Sequence, residues 1–184
     1  MDADLSSPII VAYQVVRNSI TQKTMDVNTI LSCKMGEIPM LQLAIFLDDN
    51  QFITYLLSHG VDTNQTSKCW GTALHQAVKM QKYKLVKKLV KAGVNLTACD
   101  PRNRDFTPLH IAIEDNCYKI AKILVNYGAD VEVLSTIKND FGDSLLQIAL
   151  KSKDEKMINL LLKNIRGSRK KLTCRALKLL MKGF

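Results

Sequence analysis

Thr107-Pro108-Leu109-His110-Ile111-Ala112, followed by Lys119-Ile120-Ala121-Lys122-Ile123-Leu124-Val125-Asn126-Tyr127-Gly128-Ala129-Asp130-Val131, is the stretch on which the fold turns. Its pattern returns along the chain with changes. Thr72-Ala73-Leu74-His75-Gln76-Ala77 leads to Leu89-Val90-Lys91-Ala92-Gly93, and Ser144-Leu145-Leu146-Gln147-Ile148-Ala149 leads to Leu160-Leu161-Leu162. Pro39-Met40-Leu41-Gln42-Leu43-Ala44 leads to Tyr55-Leu56-Leu57-Ser58-His59-Gly60. A unit repeated at a nearly fixed spacing marks a solenoid, because one unit can bury its apolar face only against its neighbours.

Within a unit the apolar residues fall three and four apart, which sets them on one helical stripe. Leu41, Ala44 and Ile45 predict one helix, and Phe52, Ile53, Leu56 and Leu57 predict a second. Thr72 and Thr107 suit helix N-caps, since their hydroxyls accept from otherwise unpaired N–H groups. Pro108 suits the first helical position, where it gives up no hydrogen bond. Gly60 suits the end of the second helix, where φ turns positive. Asp48 and Asn116 fall in the turns between helices and tolerate the left-handed conformation, whereas Gln81 and Lys153 at the equivalent places suit it less well.

The start T-P-L-H-x-A on a repeat of about 33 residues is the ankyrin signature, and the chain resembles the ankyrin-repeat family over most of its length. The resemblance implies an all-α solenoid of about five helix-turn-helix units joined by β-hairpin loops. On this reading residues 1–184 form a single domain with repeats at 39–71, 72–106, 107–142 and 144–166. A degenerate N-terminal capping repeat at 7–36 rests on Ser7-Pro8-Ile9-Ile10-Val11-Ala12, aligned with the motif start, and on Asp26-Val27-Asn28. An amphipathic stretch from Leu172 to Met181 predicts a C-terminal capping helix within 168–184. The family also implies that His75 and His110 hydrogen-bond neighbouring loop backbone. Catalysis or metal binding is the alternative for them, but no acid, cysteine or second histidine is patterned beside either.

The marker alanines are informative. Ala44 to Ala77 is 33 residues, Ala77 to Ala112 is 35, and Ala112 to Ala149 is 37, while alanine to terminal glycine stays at 16. The extra residues therefore lie in the hairpins at 99–105 and 134–141. Insertions in a repeat array collect on one face, often the binding face.

Composition narrows the class. Hydrophobic residues make up 47%, enough for a continuous core. No apolar run approaches the roughly 20 residues of a membrane span, and the acidic start Met1-Asp2-Ala3-Asp4 is unlike a secretory signal. The expectation is a cytoplasmic monomer, with nuclear entry open through the basic run Arg166 to Lys171. Five scattered cysteines form neither a disulfide framework nor a zinc pattern. The N-x-T triplets at Asn64 and Asn95 fall in predicted hairpins of an intracellular chain and are read as chance matches.

Charge is uneven. Residues 1–65 hold three basic and seven acidic residues, and residues 66–184 hold 23 and 10, so the net +9 lies in the later units. Such asymmetry attracts acidic partners. The lysines at 82, 84, 87, 88 and 91 are expected to form a solvated convex face. No phosphate loop, nucleophile elbow, HExxH helix or dinucleotide fingerprint is present, and pairs such as Asp48-Asp49, Glu114-Asp115 and Asp154-Glu155 fall in solvated turns. The chain is expected to be no enzyme and to need no cofactor or metal.

What the family implies is a concave groove, formed by hairpin tips and first helices, that holds another protein. By position its candidates are Lys68, Trp70, Lys79, Met80, Arg102, Arg104, Phe106, Glu114, Lys138 and Phe141. Trp, Phe and Arg dominate binding energies when desolvated, although Trp70, Phe106 and Phe141 could instead pack the hairpin bases. The expected function is a non-catalytic adaptor, scaffold or masking inhibitor for an acidic or mixed-charge partner. One alternative is an IκB-like or pathogen host-range inhibitor that masks a transcription factor or immune-signalling protein. The other, from a different class, is nucleic-acid binding through the basic two-thirds, a less favoured reading because aromatics are not interleaved with the basic residues.

Overall fold

The computed structural model describes residues 7–33, 36–100, 103, 105–131, 148–150 and 152–164. The expected units are present as helix pairs: α2 (Met40–Phe46) with α3 (Asn50–Ser58), α4 (Ala73–Lys79) with α5 (Tyr83–Lys91), and α6 (Pro108–Glu114) with α7 (Tyr118–Asn126). Helical residues 148–150 and α8 (Glu155–Asn164) belong to the fifth unit. The inner helices α2, α4 and α6 pack in series, and so do the outer helices α5, α7 and α8. Short hairpins connect the units. β1 (Ile30–Cys33) pairs antiparallel with β2 (Gly36–Pro39), and β3 (Thr66–Ser67) with β4 (Gly71–Thr72), while Asp100 and Phe106 form a single bridge.

The register explains the stacking. Ala44, Ala77 and Ala112 are fully buried at equivalent points of the inner helices, where a small side chain lets neighbouring backbones approach. Leu56, Leu89, Leu124 and Leu161 each stand seventh in their outer helix, and all four are fully buried. Burying one such leucine contributes about 1.5–3 kcal/mol, so four in register tie the outer layer together.

All four interhelix turns are left-handed, with φ of 59° at Asp48, 53° at Gln81, 52° at Asn116 and 55° at Lys153. Gln81 and Lys153 thus adopt the turn that their side chains suit less well, because packing on both sides leaves the backbone no other path. Gly60, Gly93 and Gly128 end the outer helices at φ of 74°, 80° and 93°.

The first unit differs from the alignment of Ser7–Ala12 with a motif start. Residues 7–21 form one continuous helix, α1 (Ser7–Thr21), and no turn divides it. The leucine pair and glycine that shape a second helix elsewhere are missing there. α1 buries Tyr13, Val16 and Ile20. Its docking is polar as well: Tyr13 Oη donates to Asp49 Oδ2 at 2.9 Å, and Arg17 Nε donates to the same oxygen at 2.7 Å. Asp49 also caps α3, accepting from Phe52 N–H at 2.9 Å. The sequon asparagines serve the stack. Asn64 Oδ1 accepts from Asn95 N–H at 2.9 Å, as Asn28 Oδ1 does from Asp62 N–H at 2.7 Å.

Candidate partner-binding groove

The hairpin of β3 and β4 presents Lys68-Cys69-Trp70 in its turn. Ser67 Oγ accepts from Trp70 N–H at 3.1 Å, which orients the tryptophan toward the inner helices. Its ring stacks on Phe46, the last residue of α2, with centroids 5.1 Å apart and planes at 22°. Phe46, Lys79 and Glu114 are register equivalents, each closing an inner helix. Beside the stack lies a cavity of about 390 Å³ lined by Phe46, Trp70, Gln76, Lys79, Met80 and Ile111, with Cys69, His75, Asp100 and Asn103 completing it. Gln76 and Ile111 occupy the x of their T-x-L-H-x-A and T-P-L-H-x-A motifs, so the motif itself lines this part of the groove.

Apolar walls with a polar rim suit one large side chain from a partner. Met80 is 38% exposed although hydrophobic. Lys79 Nζ is 3.4 Å from Asp115 Oδ1, and its side chain is 62% exposed. An exposed pair of that length holds its cation weakly, so the ammonium can turn to a carboxylate on a partner. Among the described residues the groove carries Lys68 and Lys79 against Asp100, Glu114 and Asp115, a mixed field.

The histidines are structural. Thr72 N–H donates to His75 Nδ1 at 3.3 Å, which assigns the proton to Nε2, and Nε2 lies 3.0 Å from the Phe106 carbonyl. With both nitrogens engaged, His75 has no site for a metal or a substrate proton. His110 Nδ1 accepts from Thr107 N–H at 3.1 Å, and its ring stacks on Phe106 at 5.3 Å. Its Nε2 is buried, with no hydrogen-bond partner among the described residues. Burial pulls the imidazole down to about 4, so it is neutral at physiological pH. Burial first, and Asp115 second, push the Cys117 thiol up, opposite to what a nucleophile needs. Among the described residues no group of three or more His, Cys, Asp or Glu is placed to hold a metal ion.

The family profile described as "Ankyrin repeats (3 copies)" matches residues 40–135 and 96–174. The chain belongs to the ankyrin-repeat family. A comparison with curated proteins finds no match. Ankyrin arrays are generally protein–protein interaction modules, and no helix among the described residues is long and apolar enough to cross a membrane.

The residues expected on the groove of this ankyrin array separate clearly. Trp70, Lys79 and Met80 meet at the cavity, and Lys68 is exposed on the adjoining turn. Glu114 is half-buried at the end of α6. Phe106 is fully buried and packs the hairpin base, the second of the two roles open to it, so it is not available to a partner. Arg102, Arg104, Lys138 and Phe141 lie outside the described residues. Sequence reasoning passed over Phe46, Gln76 and Ile111. The signal for Phe46 was present, since it falls where Lys79 does in the next ankyrin unit.

Proposed function

We propose that this chain is a non-catalytic adaptor whose groove holds a segment of an acidic or mixed-charge partner protein. One large apolar side chain of the partner enters the cavity between the Phe46–Trp70 stack and Met80. Lys79 and Lys68 meet acidic groups beside it. The observation that carries this reading is Trp70, half-buried and stacked at the 390 Å³ cavity, with Met80 exposed opposite. Half-buried tryptophans beside a pocket are the residues that carry interface energy. A cytoplasmic location belongs to the same proposal, and the scattered cysteines, which form no disulfide framework in the sequence, support it.

Affinity capture followed by titration tests the reading. Trp70 is the only tryptophan, so its fluorescence reports directly on the cavity. Partners captured by the wild type are expected to bind Trp70→Ala and Met80→Ala at least about tenfold more weakly. Unchanged affinity in folded variants, with no change in Trp70 emission on binding, removes the groove from consideration.

A further inference from the structure

Among the described residues, a second surface concentrates positive charge. The outer helices expose Lys84, Lys87, Lys88 and Lys91 on α5, Lys119 and Lys122 on α7, and Lys156 and Lys163 on α8. The buried residues of α5 are Leu85, Val86, Leu89 and Val90, so its lysines form the stripe turned away from the core. Because the helices stack in register, the lysines form rows across them. Lys84, Lys119 and Lys156 each stand second in their helix, and Lys91 and Lys163 each stand ninth. Glu155 is the only acidic residue in these three helices. None of the eight lysines has an ion-pair partner among the described residues, and Lys88 alone makes a side-chain hydrogen bond, to Thr54 at 3.1 Å.

Eight like charges this close repel one another, so they lower the stability of the bare solenoid and favour whatever neutralises them. Neighbouring lysines along a helix are about 5–6 Å apart, and rows on adjacent helices about 8–10 Å apart. The field is therefore two-dimensional. A nucleic-acid strand is usually followed by a groove or stripe with aromatic platforms between the cations, whereas the exposed Tyr83 and Tyr127 stand at the ends of α5 and α7, outside the span of the lysines in each helix. The face also has no arginine, the residue whose fork reads carboxylate or phosphate in fixed geometry. Point charges spread over several adjacent helices match an array of anionic headgroups, and clusters of four to eight basic residues on helices are of the size that such lipids hold.

We propose that the outer face of α5, α7 and α8 docks peripherally on an anionic membrane leaflet. Contact through the outer helices leaves the inner helices and hairpin tips open, so a partner can be held at the membrane. The contact needs no inserted helix, and none of the described helices is long and apolar enough to cross a membrane.

Co-sedimentation with phosphatidylcholine vesicles, with and without about one-third phosphatidylserine, tests this. The wild type is expected to bind the anionic vesicles at least about tenfold more tightly than neutral ones, with binding lost as salt screens the charges. Lys84→Glu combined with Lys119→Glu and Lys156→Glu is expected to reduce that binding about tenfold or more. The matching Lys→Gln triple keeps the test decisive if the glutamate triple fails to fold, and it is expected to fall between. Trp70→Ala, which removes the groove anchor, is expected to bind vesicles as the wild type does. Equal binding to both vesicles overturns the proposal, as does a folded triple variant that binds undiminished. Tighter binding to a short DNA duplex or single strand at the same salt, through the same three lysines, also overturns it.

Discussion

His75 Nε2 donates to the backbone carbonyl of Phe106 at 3.0 Å, joining residues 31 apart in sequence. Phe106 stands immediately before Thr107, the cap of the next inner helix, so the bond fixes one unit to the next. Gln42, at the histidine position of the preceding unit, does the same with its amide: Nε2 donates to the Gly71 carbonyl at 2.8 Å, just before Thr72. The position requires an N–H at a set reach, and two chemistries supply it. Gln42→His is therefore expected to keep most of the stability. Gln42→Leu and His75→Leu each remove a buried hydrogen bond between units and are expected to lose about 0.5–1.5 kcal/mol in urea denaturation; the Phe106 carbonyl still accepts from the Asp100 N–H at 3.0 Å.

His110 sets an acid limit. Burial lowers its folded value to about 4 from the ordinary 6.5, so the unfolded chain takes up the proton first. Its contribution is complete above pH 6.5 and is lost as pH falls from 6.5 toward 4. Denaturation across that window is expected to show a fall of roughly 3 kcal/mol that His110→Asn does not show. A profile that is flat in the wild type counts against a neutral, buried His110.

Asp49 acts lower on the scale. Its burial alone would raise the carboxyl, but the Phe52 N–H, the Arg17 guanidinium and the Tyr13 hydroxyl together hold it below the ordinary 3.8. That contribution is present above pH 3.8 and disappears as pH falls through the folded value. Asp49→Asn removes the ion pair with Arg17 while an amide oxygen can still cap α3, and is expected to cost about 1–2 kcal/mol. Hydrogen exchange should show α1 losing protection before the rest of the array.

The left-handed turns offer a gain. Gln81 and Lys153 hold φ near 53° and 55°, which costs a side-chain-bearing residue about 1–2 kcal/mol. Gly carries no such cost but loses more entropy on folding. Gln81→Gly and Lys153→Gly are expected to raise stability by about 0.5–1 kcal/mol each. A fall in melting temperature for both would show that the turns carry no strain.

The groove was legible only in part. Trp70, Lys79 and Met80 could be named because the repeat register assigns each position a place. Phe106 could not be assigned, since an aromatic at a hairpin base serves a groove or a core equally well until its neighbours are placed. Stacked on His110, it belongs to the core. Phe46 escaped notice because it looks like one more apolar residue of α2, and only the Trp70 ring beside it makes it a wall. The sequence groups the lysines at 82, 84, 87, 88 and 91 into one solvated stripe; this holds for the last four, while Lys82 donates to Asp48 Oδ1 at 2.9 Å and to the Ile45 carbonyl at 3.1 Å. The alignment of those four with Lys119, Lys156 and Lys163 depends on how three helices pack.

By itself the sequence determined the architecture. Helical periodicity, threonine caps, left-handed turn residues and terminal glycines act within a few residues, and repetition at a near-constant period leaves the units only one economical way to stack. The tertiary structure alone decided the fate of the first unit, where α1 runs unbroken because Tyr13, Arg17 and Ile20 find their partners in the next unit. It also decided which aromatic residue faces the groove and where the positive charge collects. These properties depend on contacts between residues more than 20 positions apart, and local pattern carries no information about such distances until the stack has formed.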